Sequence, residues 1–177
     1  MKLEKFFFDT SHQKILKFLA NFSNKTFFER EIAQRAKISR GAANAALRKL
    51  AKASLVILER KGRMSFYSVD LKNPLIKQWK VLSNIIRIYS LIKKLQKESE
   101  KIILFGSASD GINIKESDID LFVLTNFPEK VKKIISKNKE KIQLIVKKPL
   151  EFVEMKSKDP IFYDEIMRGI VLWEKTK

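Results

Sequence analysis

The apolar positions of this chain keep helical spacing through the first fifty or so residues, shorten into strand-like runs, and then return to helix. Ile15, Leu16, Phe18, Leu19 and Phe22 fall on one side of a 3.6-residue repeat and predict a helix over residues 11–22. Residues 27–36 predict a second, with Ile32 and Ala33 inward. Ser39 has the chemistry of an N-cap for a third helix that runs to about Ala53, with Ala43, Leu47 and Leu50 inward. Residues 55–60 and 64–69 are strand-like, and Lys61-Gly62-Arg63 between them predicts a hairpin. Asn73 and Pro74 then open a long helix to about Glu98. Its broad apolar face is expected to hold Leu75, Trp79, Leu82, Ile85, Ile86, Tyr89, Ile92 and Leu95. A face this wide packs on the front domain, on the rear domain or on the same helix of a second subunit. Beyond it the pattern predicts strands at 101–105, 118–124 and 141–146, and helices from Ser107, at 128–137, 149–155 and 160–166. Residues 170–173 close the chain as a strand or extended tail.

Composition narrows the class. The apolar fraction of 45% and 13 Phe suffice for a folded core. Every apolar run stops short of the roughly 20 residues a membrane span requires, so no membrane partner is expected. The early charges in Met1-Lys2-Leu3-Glu4-Lys5 do not suit a secretory leader, and the expected location is the cytoplasm. The chain has no Cys and one His, His12, which excludes disulfides, thiolate metal sites and most histidine-based chemistry. Net charge is +17 and unevenly spread: residues 1–99 hold 22 Lys and Arg against 7 Asp and Glu, residues 100–177 hold 15 against 13. So basic a front half points to a polyanionic partner, with nucleic acid the leading candidate.

The chemistry concentrates between two apolar runs. Residues 102–105 feed the turn Gly106-Ser107-Ala108-Ser109-Asp110-Gly111, and Ser117-Asp118-Ile119-Asp120-Leu121 opens the next run. Carboxylates at i and i+2 of a strand project to the same side, so Asp118 and Asp120 should face one cation. A Gly-Ser turn opening a helix offers N–H groups to phosphate. Together these residues sketch a site for a metal-bound nucleoside triphosphate.

Two resemblances follow. Glu31-Ile32-Ala33-Gln34-Arg35-Ala36, Ile38-Ser39, Leu47-Arg48-Lys49-Leu50 and Leu55-Val56 resemble the winged helix-turn-helix superfamily over roughly residues 10–70, with Ser54 where that family often has Gly. The resemblance implies double-stranded DNA as partner and favours a homodimer formed through the long helix. Arg40, Asn44, Arg48 and Lys49 of the third helix would face the major groove, and Lys61 and Arg63 of the hairpin the backbone or minor groove.

Leu104-Phe105-Gly106-Ser107, Gly111 and residues 117–123, with the tail from Asp159 to Trp173, look like the minimal nucleotidyltransferases of the DNA polymerase β superfamily over about residues 99–177. That resemblance implies Asp118 and Asp120 as catalytic residues and ligands of Mg²⁺ or Mn²⁺, and Gly106, Ser107 and Ser117 as binders of a nucleoside triphosphate. Members of this kind often act beside a separate helical partner protein. Two residues depart from the pattern: Asp110 stands where Arg is usual, and Gln143 where the next strand normally supplies a third carboxylate. Glu140 and Glu151 are the candidate substitutes.

The expected architecture is α+β: a winged helix of three helices and a hairpin (1–72), a linker or dimerisation helix (73–98), and an α/β nucleotidyltransferase domain with a small mixed sheet (99–177). Two functional readings follow: a DNA-binding protein whose rear domain transfers nucleotidyl groups, and a transcriptional regulator whose degenerate rear domain only senses nucleotide or docks a partner.

Overall fold

The computed structural model describes residues 3–176. It divides into two compact units, one running to Ile86 and taking in Gly111–Lys115, the other formed by Arg87–Asp110 and Glu116 onward. The class is α+β in each.

The first unit opens with a single turn, α1 (Glu4–Phe7), and then α2 (Ser11–Asn21). A capping box starts α2: the Gln13 backbone N–H donates to Thr10 Oγ1, and the Thr10 N–H donates to Gln13 Oε1. The spacing predicts a second helix from Phe27. The structure instead pairs Phe27–Phe28 as a short strand, β1, and begins α3 (Glu29–Arg35) only afterwards. β1 lies against Tyr67 and Phe66 far along the chain, a pairing that local periodicity does not register. Ser39 caps α4 (Arg40–Lys52) by accepting from the Ala42 N–H, and Ala43, Ala46, Leu47 and Leu50 are buried on its inner face. Ser54 follows with φ +56°, the left-handed position that explains why Gly is common there. Strands β2 (Ile57–Lys61) and β3 (Met64–Ser68) form the hairpin. Lys61 pairs with Met64, so the turn itself is Gly62-Arg63, with Gly62 at φ +60°. The sheet order is β1-β3-β2, and Ile15, Leu19, Ile32, Leu47, Tyr67 and Ile76 meet in one core.

The division between units falls inside α5 (Pro74–Leu95), whose start is capped by Asn73 Oδ1 accepting from the Leu75 N–H. The expected apolar face is buried at Ile86, Ile92 and Leu95 and departs elsewhere. Leu75, Leu82 and Tyr89 are exposed by 66%, 36% and 40%, while Lys80, Ser83 and Asn84 are buried. Specific polar contacts account for part of this departure. Asn84 and Asn113 exchange side-chain amide hydrogen bonds at 3.0 and 3.3 Å. Gly111 passes so near the Lys77 carbonyl that a Cβ there would lie 2.4 Å from its oxygen. A short 3₁₀ turn, Gln96–Glu98, follows α5.

The second unit is built on β4 (Lys101–Phe105), β5 (Ile119–Leu124), β6 (Ile142–Lys147) and β7 (Ile170–Glu174) in the order β6-β5-β4-β7. β5 and β6 are parallel, the other pairs antiparallel, giving the small mixed sheet expected. The closing segment is a strand, paired with β4 through a register shift at Ile102/Ile103. The predicted helix from Ser107 is one turn only, α6 (Gly106–Ser109). α7 (Pro128–Ser136), α8 (Pro149–Lys158) and α9 (Pro160–Met167) complete the unit. Ile103, Phe105 and Phe122 share one sheet face and pack with Met155 of α8 and Ile166 of α9. Ile102, Leu104, Leu121 and Val123 are buried on the other face.

Candidate functional site

Asp120 is the second residue of β5, paired across the antiparallel ladder with Phe105 at the end of β4. The next residue, Gly106, adopts φ +63°, and a Cβ there would sit 2.5 Å from Asp120 Oδ2. Glycine is therefore required twice, by the backbone conformation and by the carboxylate pressed against it. The turn is tied by Ser109 Oγ donating to the Gly106 carbonyl at 2.7 Å and by the Asp110 N–H donating to the same oxygen at 3.3 Å. Ser107 is half-buried in this turn, and Asp110 points into solvent.

Asp118 lies just ahead of β5 rather than within it, exposed, so the two carboxylates are not held by one regular strand as expected. They nevertheless interact. Desolvation first, then the negative charges of Asp118 and Glu165, push the Asp120 carboxyl above the usual carboxylate range. Ser117 is half-buried beside them. Gly106, Asp118 and Asp120 are thus brought together.

Gln143 stands in parallel register with Asp120 on β6. In-register neighbours on adjacent strands share a face at about 4.8 Å, so the place expected for a third carboxylate holds an amide. Neither proposed substitute reaches it. Glu140 is ion-paired to Arg87 Nε at 2.8 Å, and Glu151 accepts from the Lys148 N–H as part of the α8 cap. The carboxylate that does act on Asp120 is Glu165 of α9, which sequence reasoning missed. Its one available signal was position: it precedes Ile166, the fully buried residue of α9, at the rim of the helix's packed face.

Among the described residues no group of three or more His, Cys, Asp or Glu is disposed to hold a metal ion. The donor chemistry of Asp118 and Asp120 still fits a hard divalent cation such as Mg²⁺. A half-buried carboxylate beset by two like charges is relieved by a cation, and the raised Asp120 carboxyl is the observation that says so.

In the first unit Arg40 at the start of α4 and Arg63 at the hairpin turn line one shallow pocket of about 360 Å³ together with Arg30 of α3, which sequence reasoning did not select. Arg48 and Lys49 are exposed on α4. Asn44 is turned to α3, its amide donating to Glu29 Oε2 at 2.7 Å. Lys61 is paired with Glu59 at 3.1 Å and lies over the Phe66 ring. These last two side chains are partnered within the protein rather than held free for a ligand.

The mixed four-stranded sheet and the Gly-Ser turn closing on Asp120 lie within the segment that matches a known family. The sequence profile of the family "Polymerase beta, Nucleotidyltransferase" matches residues 87–177, just over half of the chain, and the protein belongs to that family. Comparison with curated proteins gives no match. Two solved structures are similar at low identity. One, from Sulfolobus solfataricus and described provisionally as a nucleotidyltransferase, is 17% identical over 54% of this chain and 88% of its own, with a TM-score of 0.36. The other, a hypothetical protein of Pyrobaculum spherical virus, is 19% identical over 71% of this chain and 70% of its own, with a TM-score of 0.31. Among the described residues no helix is long and apolar enough to cross a membrane.

Proposed function

We propose that the protein is a DNA-binding nucleotidyltransferase that takes a metal-bound nucleoside triphosphate and passes its nucleotidyl group to an acceptor. The observation that carries this reading is the like-charge pressure on Asp120 from Asp118 and Glu165 beside a glycine that leaves room for nothing larger. Asp118 and Asp120 would hold Mg²⁺ or Mn²⁺, which supplies charge neutralisation at the transferring phosphorus. Gly106 admits the phosphates close to backbone, and Ser107 and Ser117 contribute hydroxyls at the same turn. The test is Mg²⁺-dependent pyrophosphate release from a nucleoside triphosphate, abolished by Asp118→Ala and by Asp120→Ala. Saturable nucleotide binding without release for any protein, RNA or small-molecule acceptor refutes the transfer step.

A second reading, a regulator whose rear unit only binds nucleotide, is favoured by Gln143 standing level with Asp120. Gln143→Asp separates the two. It adds the missing carboxylate and should tighten metal binding about tenfold if the site is a working transferase weakened at one ligand. No change in metal affinity or rate supports the sensor.

The order α2, α3, α4 and hairpin, with Arg30, Arg40 and Arg63 around one pocket, supports a winged helix that binds duplex DNA. Arg40→Ala should reduce sequence preference more than Arg63→Ala does; equal, uniform losses remove the specificity claim. Leu75, Leu82 and Tyr89, exposed at seven-residue spacing on α5, support a homodimer through that helix. Sedimentation of Leu82→Glu as monomer, against a dimeric parent, is the expected result.

A further inference from the structure

The first unit contains a second cavity, apart from the pocket of Arg40 and Arg63, of about 630 Å³. That is the size of an ordinary small-ligand site. Phe8, Phe18 and Phe22 give it an apolar wall, and Arg35, Lys37 and Lys115 line it with positive charge. Two further lysines on its rim are neutralised internally: Lys17 pairs with Glu4 at 2.8 Å and Lys14 with Asp9 at 3.4 Å. Arg35, Lys37 and Lys115 make no ion pair among the described residues. Arg35 and Lys115 are instead both held at the ring of Phe22, at 6.0 and 5.0 Å from its centroid. Glu4 and Asp9 line the cavity too but are taken up by Lys17 and Lys14, so the lining stays net positive, and a bound anion relieves the repulsion among the remaining cations.

Lys37 adds an independent observation. It sits at φ +56°, a conformation that favours glycine and that a long side chain adopts at a cost. Glycine would relax this turn, and the lysine that stands there instead lines the cavity.

We infer that this cavity is a binding site for a mononucleotide, separate from the carboxylate site of the second unit. The phosphates lie among Arg35, Lys37 and Lys115, and the base lies beside Phe22, the half-buried ring of the apolar wall. The ligand is a nucleoside phosphate because the wall suits a planar apolar body and the cations suit phosphate.

Phe8 supplies the readout. Its ring packs edge-on against the Trp79 indole at 5.3 Å, so filling the cavity changes the surroundings of that tryptophan. The experiment uses the full chain with Trp173→Phe, leaving Trp79 as the single emitter, and titrates ATP in EDTA so that no divalent ion serves the other site. A saturable change in Trp79 emission is expected. Lys37→Gly and Arg35→Ser should each weaken it about tenfold, the loss of one charge-assisted contact. Lys37→Gly should leave the melting temperature unchanged or higher, so that weaker binding is not unfolding. Asp120→Ala should leave the titration unaltered, which keeps this test distinct from that of the transferase reading. The absence of a saturable signal overturns the proposal, as does a signal indifferent to both substitutions. Inorganic phosphate competing as well as ATP overturns the assignment to a nucleotide. A short single-stranded oligonucleotide binding in place of ATP overturns the assignment to a free mononucleotide.

Discussion

Each unit holds an ionisable group pushed toward its neutral form, Lys80 in the first and Asp120 in the second, and the contrast between the two separates a structural burden from a site. In the first unit Lys80 is fully buried, its Nζ has no hydrogen-bond partner, and desolvation alone brings its pKa down to about 8. In the second unit Asp120 is only half-buried, and its carboxyl is raised by desolvation and by two specific carboxylates, Asp118 and Glu165. A lone desolvated amine reports only the cost of its burial. A charge crowded by like charges on several elements calls for a counter-ion, and that is the pattern of functional sites. The surroundings of the perturbed group, rather than the perturbation, identify the chemistry.

The sharpest way to break this comparison is to remove each group. Asp120→Ala should lower metal-dependent pyrophosphate release about 10³-fold, the equivalent of about 4 kcal/mol of charge stabilisation at the transition state, while leaving the fold intact by circular dichroism. A comparable loss on replacing Lys80 would sink the distinction. Lys80→Met should instead stabilise the protein at pH 7 by ~3 kcal/mol, since a shift from 10.5 to about 8 corresponds to that much at 1.36 kcal/mol per unit. The pH dependence follows from the sign. Below pH 8 both folded and unfolded Lys80 are protonated and the folded state bears the full penalty. Between about 8 and 10.5 the unfolded chain binds the extra proton, so the stability contributed by this residue rises with pH and then levels. Denaturant melts of the parent should show that rise and those of Lys80→Met should lack it.

A smaller effect separates the glycines of the two units. Gly106→Ala forces a Cβ to 2.5 Å from Asp120 Oδ2 at a positive φ, and should destabilise by about 1–3 kcal/mol while displacing the carboxylate. Gly41 in α4 has nothing within 4 Å of where its Cβ would go and no positive φ, so Gly41→Ala should stabilise by about 0.5–1 kcal/mol. Thermal melts of the two variants moving the same way would show that the close approach at Gly106 is not real.

How much of this was legible in the sequence depended on whether the deciding interaction was local. Ser39 capping α4, the inward Leu47 and Leu50, and Gln143 level with Asp120 all follow from short-range rules and one strand register. β1 was missed because its partner lies on β3. The helix expected from Ser107 is a single turn because the Asp110 N–H and Ser109 Oγ both close on the Gly106 carbonyl. The inner face of α5 was legible at Ile86, Ile92 and Leu95 but not at Leu75, Leu82 and Tyr89, while the Asn84–Asn113 pair holds inward a polar residue that hydropathy reads as outward. Glu165 could not be found by strand spacing at all, since it arrives from a helix of the opposite end of the sequence motif.

The smallest expected effect tests the other half of the contrast. Where the second unit concentrates charge around one carboxylate, the first spreads Arg30, Arg40 and Arg63 along a shallow surface. If those side chains meet phosphates, each acts almost independently. Arg63→Ala should then reduce the steepness of log K against log salt by about 1 for duplex DNA and weaken binding to all sequences alike. Arg40, at the start of α4, should instead alter preference among sequences if it reaches base edges. Equal slopes for the parent and Arg63→Ala would place the nucleic acid elsewhere. A loss on Arg63→Ala far larger than one phosphate contact supplies would mean that the first unit, like the second, works through a cooperative cluster, and the comparison would fail on that side.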